Sequence, residues 1–201
     1  TLDLFAVLLG GATALLPVFA TDILHFGESA VGYLRSAEAA GAILMALALT
    51  HMPTIRNAGK TMLCAVAGFG VWTIVFGLSR DFWLSMFAML MVGALDNVSV
   101  VVRHSVVQML TPDAMRGRVS AVNNVFIVAS NDLGGVESGL TAALLGPVTS
   151  VVCGGIGTVL VVLGAAWKWP QLRAIDSLKD LRPADAAQAL EEADEELAAR
   201  G

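Results

Sequence analysis

The sequence predicts an all-α membrane protein with six transmembrane helices. Six apolar stretches, most about 20 residues long, fill almost all of the chain before Trp169, and about 20 helical residues cross the hydrocarbon core of a bilayer. Of the 201 residues, 56% are hydrophobic and 14% are charged, whereas about a quarter of residues are charged in soluble domains. Because the apolar runs are continuous rather than alternating, they favour helices over the strands of a membrane barrel.

The connectors between the apolar stretches are short, so neighbours in sequence are expected to run antiparallel in one bundle. Residues 1–169 are predicted to form this bundle, and residues 170–201 an acidic cytoplasmic tail. The predicted spans are 2–20, 30–50, 61–78, 82–108, 119–145 and 149–169.

Lys and Arg are concentrated on alternate connectors. Because cytoplasmic loops retain positive charge, this asymmetry places both Thr1 and the tail in the cytoplasm. The basic connectors carry Arg56 with Lys60, Arg116 with Arg118, and Lys168 with Arg173. The other connectors carry Asp22 and Glu28, then Arg80 beside Asp81, and no charge around Gly146.

The ends of the chain differ in character. The chain enters an apolar stretch at Thr1 without an initiator methionine or a cleavage site, so we expect it to be a fragment of a longer protein. The acidic tail is expected to be solvated and extended or loosely helical. Docking of a cytoplasmic partner on the tail is the alternative.

Ionisable residues are distributed unevenly among the spans. An ionisable group at a helix centre costs about 2.5–3.5 kcal/mol on insertion scales, so it faces the bundle interior or a water-filled cavity. The third and sixth spans contain no such group, which makes them lipid-facing candidates and predicts two inverted three-helix repeats. The charged spans hold Arg35 and Glu38 (second), Asp96, Arg103 and His104 (fourth), and Asp132 and Glu137 (fifth).

Position along the spans gives these residues different expected roles. Asp96 and Asp132 lie near mid-span. Arg35 and Glu38 are three residues apart and share a helix face, so they are predicted to form a structural or gating pair.

The fifth span is the least hydrophobic one. Its polar residues include Asn131 and Asp132, and glycines surround Glu137. Two compatible interpretations remain open: a helix buried at a crowded interface, or a cavity-lining helix whose Asn131 and Asp132 contact substrate or a proton.

Several short motifs resemble functional sites, but the surrounding sequence does not support them. We therefore predict no enzyme activity, no cofactor and no metal. Gly59-Lys60-Thr61 resembles the end of a phosphate-binding loop, but position 54 is Thr rather than Gly and no strand precedes it. Asn97-Val98-Ser99 fits a glycosylation acceptor but lies inside a span. No zinc-spaced Cys/His cluster or nucleophile turn occurs in the sequence. Neither Asp96 nor Asp132 has the Gly-x-Gly-Asp setting of an intramembrane protease.

One connector carries a family resemblance. The segment Thr111-Pro112-Asp113-Ala114-Met115-Arg116-Gly117-Arg118-Val119-Ser120-Ala121-Val122-Asn123 resembles the loop between helices ten and eleven in the exporter branch of the major facilitator superfamily, which includes enterobactin exporters and macrolide efflux proteins. The similarity continues through Ala129-Ser130-Asn131, Glu137-Ser138-Gly139 and Leu145-Gly146-Pro147. It covers Thr1 to about Arg173, and implies helices seven to twelve, the carboxyl-terminal half of a twelve-helix fold.

The resemblance also extends to the cytoplasmic connectors. The basic motif between helices eight and nine is degenerate, because its acidic partner is absent and the neighbouring positions are Ile55 and Asn57. The loop-motif residues that the resemblance implies are Arg56, Gly59, Lys60, Pro112, Arg116, Gly117 and Arg118.

The resemblance implies alternating access, in which two six-helix halves rock about a central site in the bacterial inner membrane. Proton-driven efflux of a small molecule, such as a drug or siderophore, is then expected. The implied partners are membrane lipid, the amino-terminal half, the substrate and protons, with no nucleic acid. The proton-coupling candidates are Asp96 and Asp132, and the cavity candidates are Asn97, Asn131 and Glu137. The alternatives are a non-transporting membrane scaffold or sensor, and a relative that flips lysophospholipid.

Overall fold

The computed structural model describes residues 11–27, 29–51, 58–111 and 115–168. These ranges are all-helical, as the sequence predicts, and contain no strand. Residues 2–10 of the first predicted span and the predicted tail, 170–201, lie outside the described residues. The helices are α1 (11–23), α2 (Ser29–His51), α3 (Ala58–Leu78), α4 (Phe82–Leu110), α5 (Arg116–Leu145) and α6 (Pro147–Lys168).

The first helix changes type along its length. α1 begins as a 3₁₀ turn, Gly11–Leu15, continues as an α-turn, Leu16–Val18, and ends as a π-turn, Phe19–Ile23. Proline has no N–H, so Pro17 cannot donate the regular α-helical hydrogen bond to the carbonyl of Thr13. The turn that precedes Pro17 is accordingly the tighter 3₁₀ form.

Helices α2 and α4 run parallel and approach each other at two glycines. Gly41 lies against the backbone of Leu90, and Gly93 lies against the backbone carbonyl of Glu38. The contacts continue in the same order along both helices, with Met45 and Leu49 beside Val98 and Val102. Small residues allow this close approach because no side chain separates the two backbones.

Helix α3 lies between α4 and α6 and runs antiparallel to both. Toward α4, Trp72 packs edge-on against Phe87 with ring centroids 5.3 Å apart, and Gly68 faces Leu95. Toward α6 the contacts follow the full length of α3, with Gly77 beside Val151, Gly70 beside Gly155, and Leu63 clustered with Val162.

Helices α5 and α6 form a hairpin. Gly146 closes it with a φ of +89°, a backbone conformation that is easily adopted only without a Cβ. Within the hairpin, the buried Ser150 Oγ donates to the carbonyl oxygen of Ser138 at 3.0 Å. α5 also contacts the 3₁₀ turn of α1, where Gly135 faces Ala14.

Large apolar side chains cover the outside of the bundle, among them Ile43, Leu133 and Trp167. Apolar surface of this extent is unusual on a soluble monomer and suits lipid. Four described helices are long and apolar enough to cross a membrane: Ser29–His51, Gly59–Leu78, Phe82–Ser105 and Pro147–Lys168. The described part of α1 is shorter, and the 30 residues of α5 are more polar. The described helices are therefore those of a multi-pass membrane protein, in which four of the six predicted spans meet this criterion.

The helix directions separate the connectors into two ends of the bundle. α2, α4 and α6 end where α3 and α5 begin. We call this the basic end, because it carries Lys60, Arg118 and Lys168. The opposite end carries Asp22, Arg80 and Asp81.

Candidate functional site

A groove between α1, α2 and α4 gathers three charged side chains, and we call it the charged groove. Its volume is about 470 Å³. Arg35 and Asp96 are exposed in it and Glu38 is half-buried. Its lining residues are Thr13 from α1, Arg35, Glu38, Ala39 and Ala42 from α2, and Gly93 and Asp96 from α4.

The glycine crossing of α2 and α4 determines which side chains meet in the charged groove. Because Gly93 touches the backbone of Glu38, the two helices are in register at this level. Residues three apart share a helix face, so Asp96 follows Gly93 on the same face of α4. Arg35 likewise precedes Glu38 on the same face of α2.

The charges in the groove interact. Asp96 and Arg35 line the same groove as Glu38, where a like charge repels a carboxylate and an opposite charge attracts it. The predicted pair Arg35 and Glu38 therefore lies in one site together with Asp96. The arrangement combines two carboxylates with one guanidinium, and these three groups can bind a proton or a polar ligand.

Asn97 presents a buried acceptor close to this site. Its Oδ1 is buried and has no hydrogen-bond partner among the described residues. Asn97 directly follows Asp96 and lies one turn beyond Gly93, on the face of α4 that packs against α2. A buried acceptor without a donor is uncommon and often indicates a water, an ion or a functional role.

The α5 candidates lie outside the charged groove. Asn131, Asp132 and Glu137 are exposed on α5, and Glu137 Oε1 accepts a hydrogen bond from Thr141 Oγ1 at 3.3 Å. Among the described residues, α5 packs mainly on α1 and α6. The structure thus brings Asp96 together with Glu38 and Arg35, but it does not place Asp132 in the same groove.

The residues of the loop motifs that the resemblance implies lie at the basic end where they are described. Gly59 is buried at the start of α3, and Lys60 is exposed beside it. Gly117 and Arg118 are exposed in the first turn of α5. Arg56 and Pro112 lie outside the described residues, and Arg116 opens α5.

Sequence reasoning missed four lining residues. Thr13 had a usable signal, because Pro17 four residues later marks a break in the helix that exposes backbone to a cavity. The other three, Ala39, Ala42 and Gly93, had none, since small residues are common throughout membrane helices. Among the described residues, no three His, Cys, Asp or Glu side chains cluster as a metal site would require.

Comparison with known proteins gives a consistent set of relatives. The family described as transmembrane secretion effector matches residues 3–198. The enterobactin exporter EntS of Citrobacter koseri is 28% identical over 139 residues, which cover 69% of this chain and 33% of that exporter. EntS of Shigella flexneri is 27% identical over 160 residues, 77% of this chain and 39% of the exporter. The chain therefore spans about a third of the length of these relatives. No solved structure matches it.

Proposed function

Because the chain belongs to the transmembrane secretion effector family of the major facilitator superfamily, we propose that it is the carboxyl-terminal half of an efflux transporter. The relatives are named as exporters of enterobactin, so a small molecule such as a siderophore or a drug is the proposed cargo. The charged groove carries this proposal. It gathers charged side chains at an open surface of an otherwise apolar bundle, where a second half would cover them.

The helix contacts support two inverted three-helix repeats. In such a repeat, α1 corresponds to α4, α2 to α5 and α3 to α6. The contact between α2 and α4 then has its counterpart in the contact between α5 and α1. The contact of α3 with α4 then corresponds to that of α6 with α1, and α3 with α6 corresponds to itself. Each of these contacts is present in the described bundle, whereas the contacts of α5 with α6 and of α1 with α2 have no counterpart of similar extent. Secondary transporters commonly have such internal repeats.

The proposed orientation places the basic end in the cytoplasm, because retained loops carry positive charge. The membrane is then the bacterial inner membrane, and the tail begins on the cytoplasmic side. In this orientation the charged groove opens toward the interface with the amino-terminal half.

The proposed mechanism is alternating access driven by protons. Rocking of the two halves exposes the central site to one side of the membrane at a time, and an acid in the site couples the flows if proton and substrate compete for it. Asp96 and Asp132 are the proposed mid-membrane acids of this pathway. Asn97, Asn131 and Glu137 are the proposed cavity residues.

The test uses the full-length transporter reconstituted into vesicles with an imposed pH gradient. We expect gradient-dependent movement of enterobactin, or of a macrolide as the second probe, and weaker movement in Asp96→Asn and Asp132→Asn. Movement of fluorescent lysophospholipid alone would identify the lipid-flipping alternative. No movement of any of the three compounds would support the scaffold alternative and contradict the proposal.

A further inference from the structure

We infer that the charged groove holds a single exchangeable proton shared between Glu38 and Asp96, with Arg35 balancing the charge of the second carboxylate. This inference rests on the proposed transport function and specifies how that function would be coupled to protons. It adds Glu38 and Arg35 to Asp96 in one site, and the proposed role of Asp132 in the proton pathway is separate from this shared proton.

The crossing of α2 and α4 places the two carboxylates at one level of the bundle. Glu38 and Asp96 belong to different helices, and the contact of Gly93 with the Glu38 backbone holds those helices at the same level. Both carboxylates line one groove, and like charges in one site repel each other. Two carboxylates that share a site favour a state in which one of them is protonated.

The charged side chains that line the groove are two acids and one base. The described helices packed on α2 are α4 and α1. α4 contributes Asp96 to the groove, and α1 contributes the uncharged Thr13, so Arg35 is the cation among the described lining residues. With both acids ionised the groove carries one net negative charge, and one proton makes it neutral.

Access of water to the groove determines whether the shared proton is bound or released. When the groove is covered and dry, the neutral state is favoured because an unbalanced charge is costly in a low dielectric. When it is open to water, one O–H bond breaks and the proton passes to water, leaving the carboxylate ionised. A proton that the open groove binds from water on one side therefore stays bound while the groove is covered, and it is released to water when the groove opens on the other side.

Asn97, next to Asp96 in sequence, carries a hydrogen-bond acceptor on α4 that no described residue uses. Its buried Oδ1 has no donor among the described residues, and a protonated carboxyl supplies the O–H donor that a carboxylate lacks. Asn97 lies beside Asp96 in sequence and on the face of α4 that packs against α2.

The experiment measures the proton directly, by infrared spectroscopy of protonated carboxyl groups in the full-length transporter in lipid nanodiscs as the pH is raised. Glu38→Gln and Asp96→Asn should each remove the same titrating carboxyl band, because Arg35 then balances the one remaining acid. Asp132→Asn should leave that band in place. The surface variant Asp81→Asn controls for the loss of any carboxylate.

Arg35 gives a second, independent readout. Arg35→Gln should increase the carboxyl band about twofold, because neither acid is balanced and both hold protons, while Arg35→Lys should keep the original intensity. The inference is overturned if the band survives either Glu38→Gln or Asp96→Asn, if Asp132→Asn removes it, or if folded Arg35→Gln shows no increase. A variant that fails to elute as a folded species is replaced in the comparison by the other groove variants.

Failure of this inference is distinguishable from failure of the transport proposal. The infrared band requires no substrate, so it reports on the proton whether or not a transported compound is known. Substrate flux with an unchanged band in the groove variants contradicts only the shared proton. A band that behaves as expected without any flux contradicts only transport.

Discussion

At Gly41 a hydrogen atom stands where any other residue would place a side chain, and this allows α2 to approach α4. A Cβ at Gly41 would meet the backbone carbonyl of Leu90, an atom that cannot turn aside as a flexible side chain can. Gly93 makes the equivalent contact with Glu38 from the other helix. Two residues therefore determine the spacing of the helices that carry the charged groove.

Gly41→Ala is expected to lower the free energy of unfolding, because overpacking a close contact costs about 1–3 kcal/mol. Gly32→Ala is the matched control on the same helix, since nothing lies within 4 Å of a Cβ there, and it should be neutral or stabilising by about 0.5–1 kcal/mol. Thermal unfolding of the full-length protein, followed by size-exclusion chromatography, measures both. Equal melting temperatures for the two variants would contradict the tight crossing.

A second residue-scale feature lies where α4 begins. Asp81 is the N-cap of α4, and its Oδ1 accepts a hydrogen bond from the backbone N–H of Leu84 at 2.9 Å. Ser79 and Ser85 continue the polar contacts of this turn, with a 3.0 Å bond between their hydroxyls.

Asp81→Ala should destabilise the protein by about 0.5–2 kcal/mol, because the capped N–H loses its acceptor. Asp81→Asn keeps a side-chain oxygen at the same place and should retain most of the stability. The melting temperatures of the two variants in detergent measure this difference in stability. A loss in the Asn variant as large as that in the Ala variant would show that charge, not capping, is what matters.

At the scale of the elements, α3 and α6 share an extended antiparallel interface. A Cβ at Gly155 would lie 2.6 Å from Ile74 Cγ1 and 2.8 Å from the carbonyl oxygen of Gly70. Without a hydrophobic driving force between helices in lipid, such close packing is the main source of association. Two glycines facing each other therefore hold these helices together.

Gly155→Val should separate α3 from α6 and reduce the yield and melting temperature of the folded transporter, by at least about 1–3 kcal/mol in stability. Gly164→Val is the control, because Gly164 lies on the same helix and a Cβ there would have no atom within 4 Å. Thermal unfolding in detergent gives the comparison. If the control loses as much as Gly155→Val, general helix propensity rather than the α3 contact explains the loss.

At the scale of the whole molecule, the directions of the helices separate a basic end from the opposite end. Lys60 and Arg118 are exposed at the basic end, and Asp22 is exposed at the other. Positive charge is retained on the cytoplasmic side. Each end of the bundle should therefore be accessible from one side of the membrane only, the basic end from the cytoplasm and the opposite end from outside the cell.

Single cysteines test this orientation in a variant without Cys64 and Cys153. Lys60→Cys and Arg118→Cys should react with a membrane-impermeant maleimide only in inverted vesicles, whereas Asp22→Cys should react in intact cells. Denatured samples, in which every cysteine reacts, provide the control. The opposite pattern would invert the proposed topology.

The sequence alone determined where this chain is helical and that its helices lie in a membrane. Continuous apolar runs predict the described helices α2 to α6 to within a few residues, since each helix satisfies its own backbone in lipid and needs no distant partner. The same local logic predicts that Asp96, Glu38 and Arg35 avoid lipid. The irregular α1 was not predicted as such, although Pro17 carried its signal.

Only the tertiary structure decided which of these residues meet. Glu38 and Asp96 are distant in sequence, and their side chains share a groove because Gly41 and Gly93 allow two backbones to touch. Asp132 has similar chemistry and a similar predicted depth, yet it lies on α5 and does not line the groove. Hydrophobic pattern is a property of one helix and can be read from one segment, whereas the register and spacing between helices depend on side-chain shapes from both.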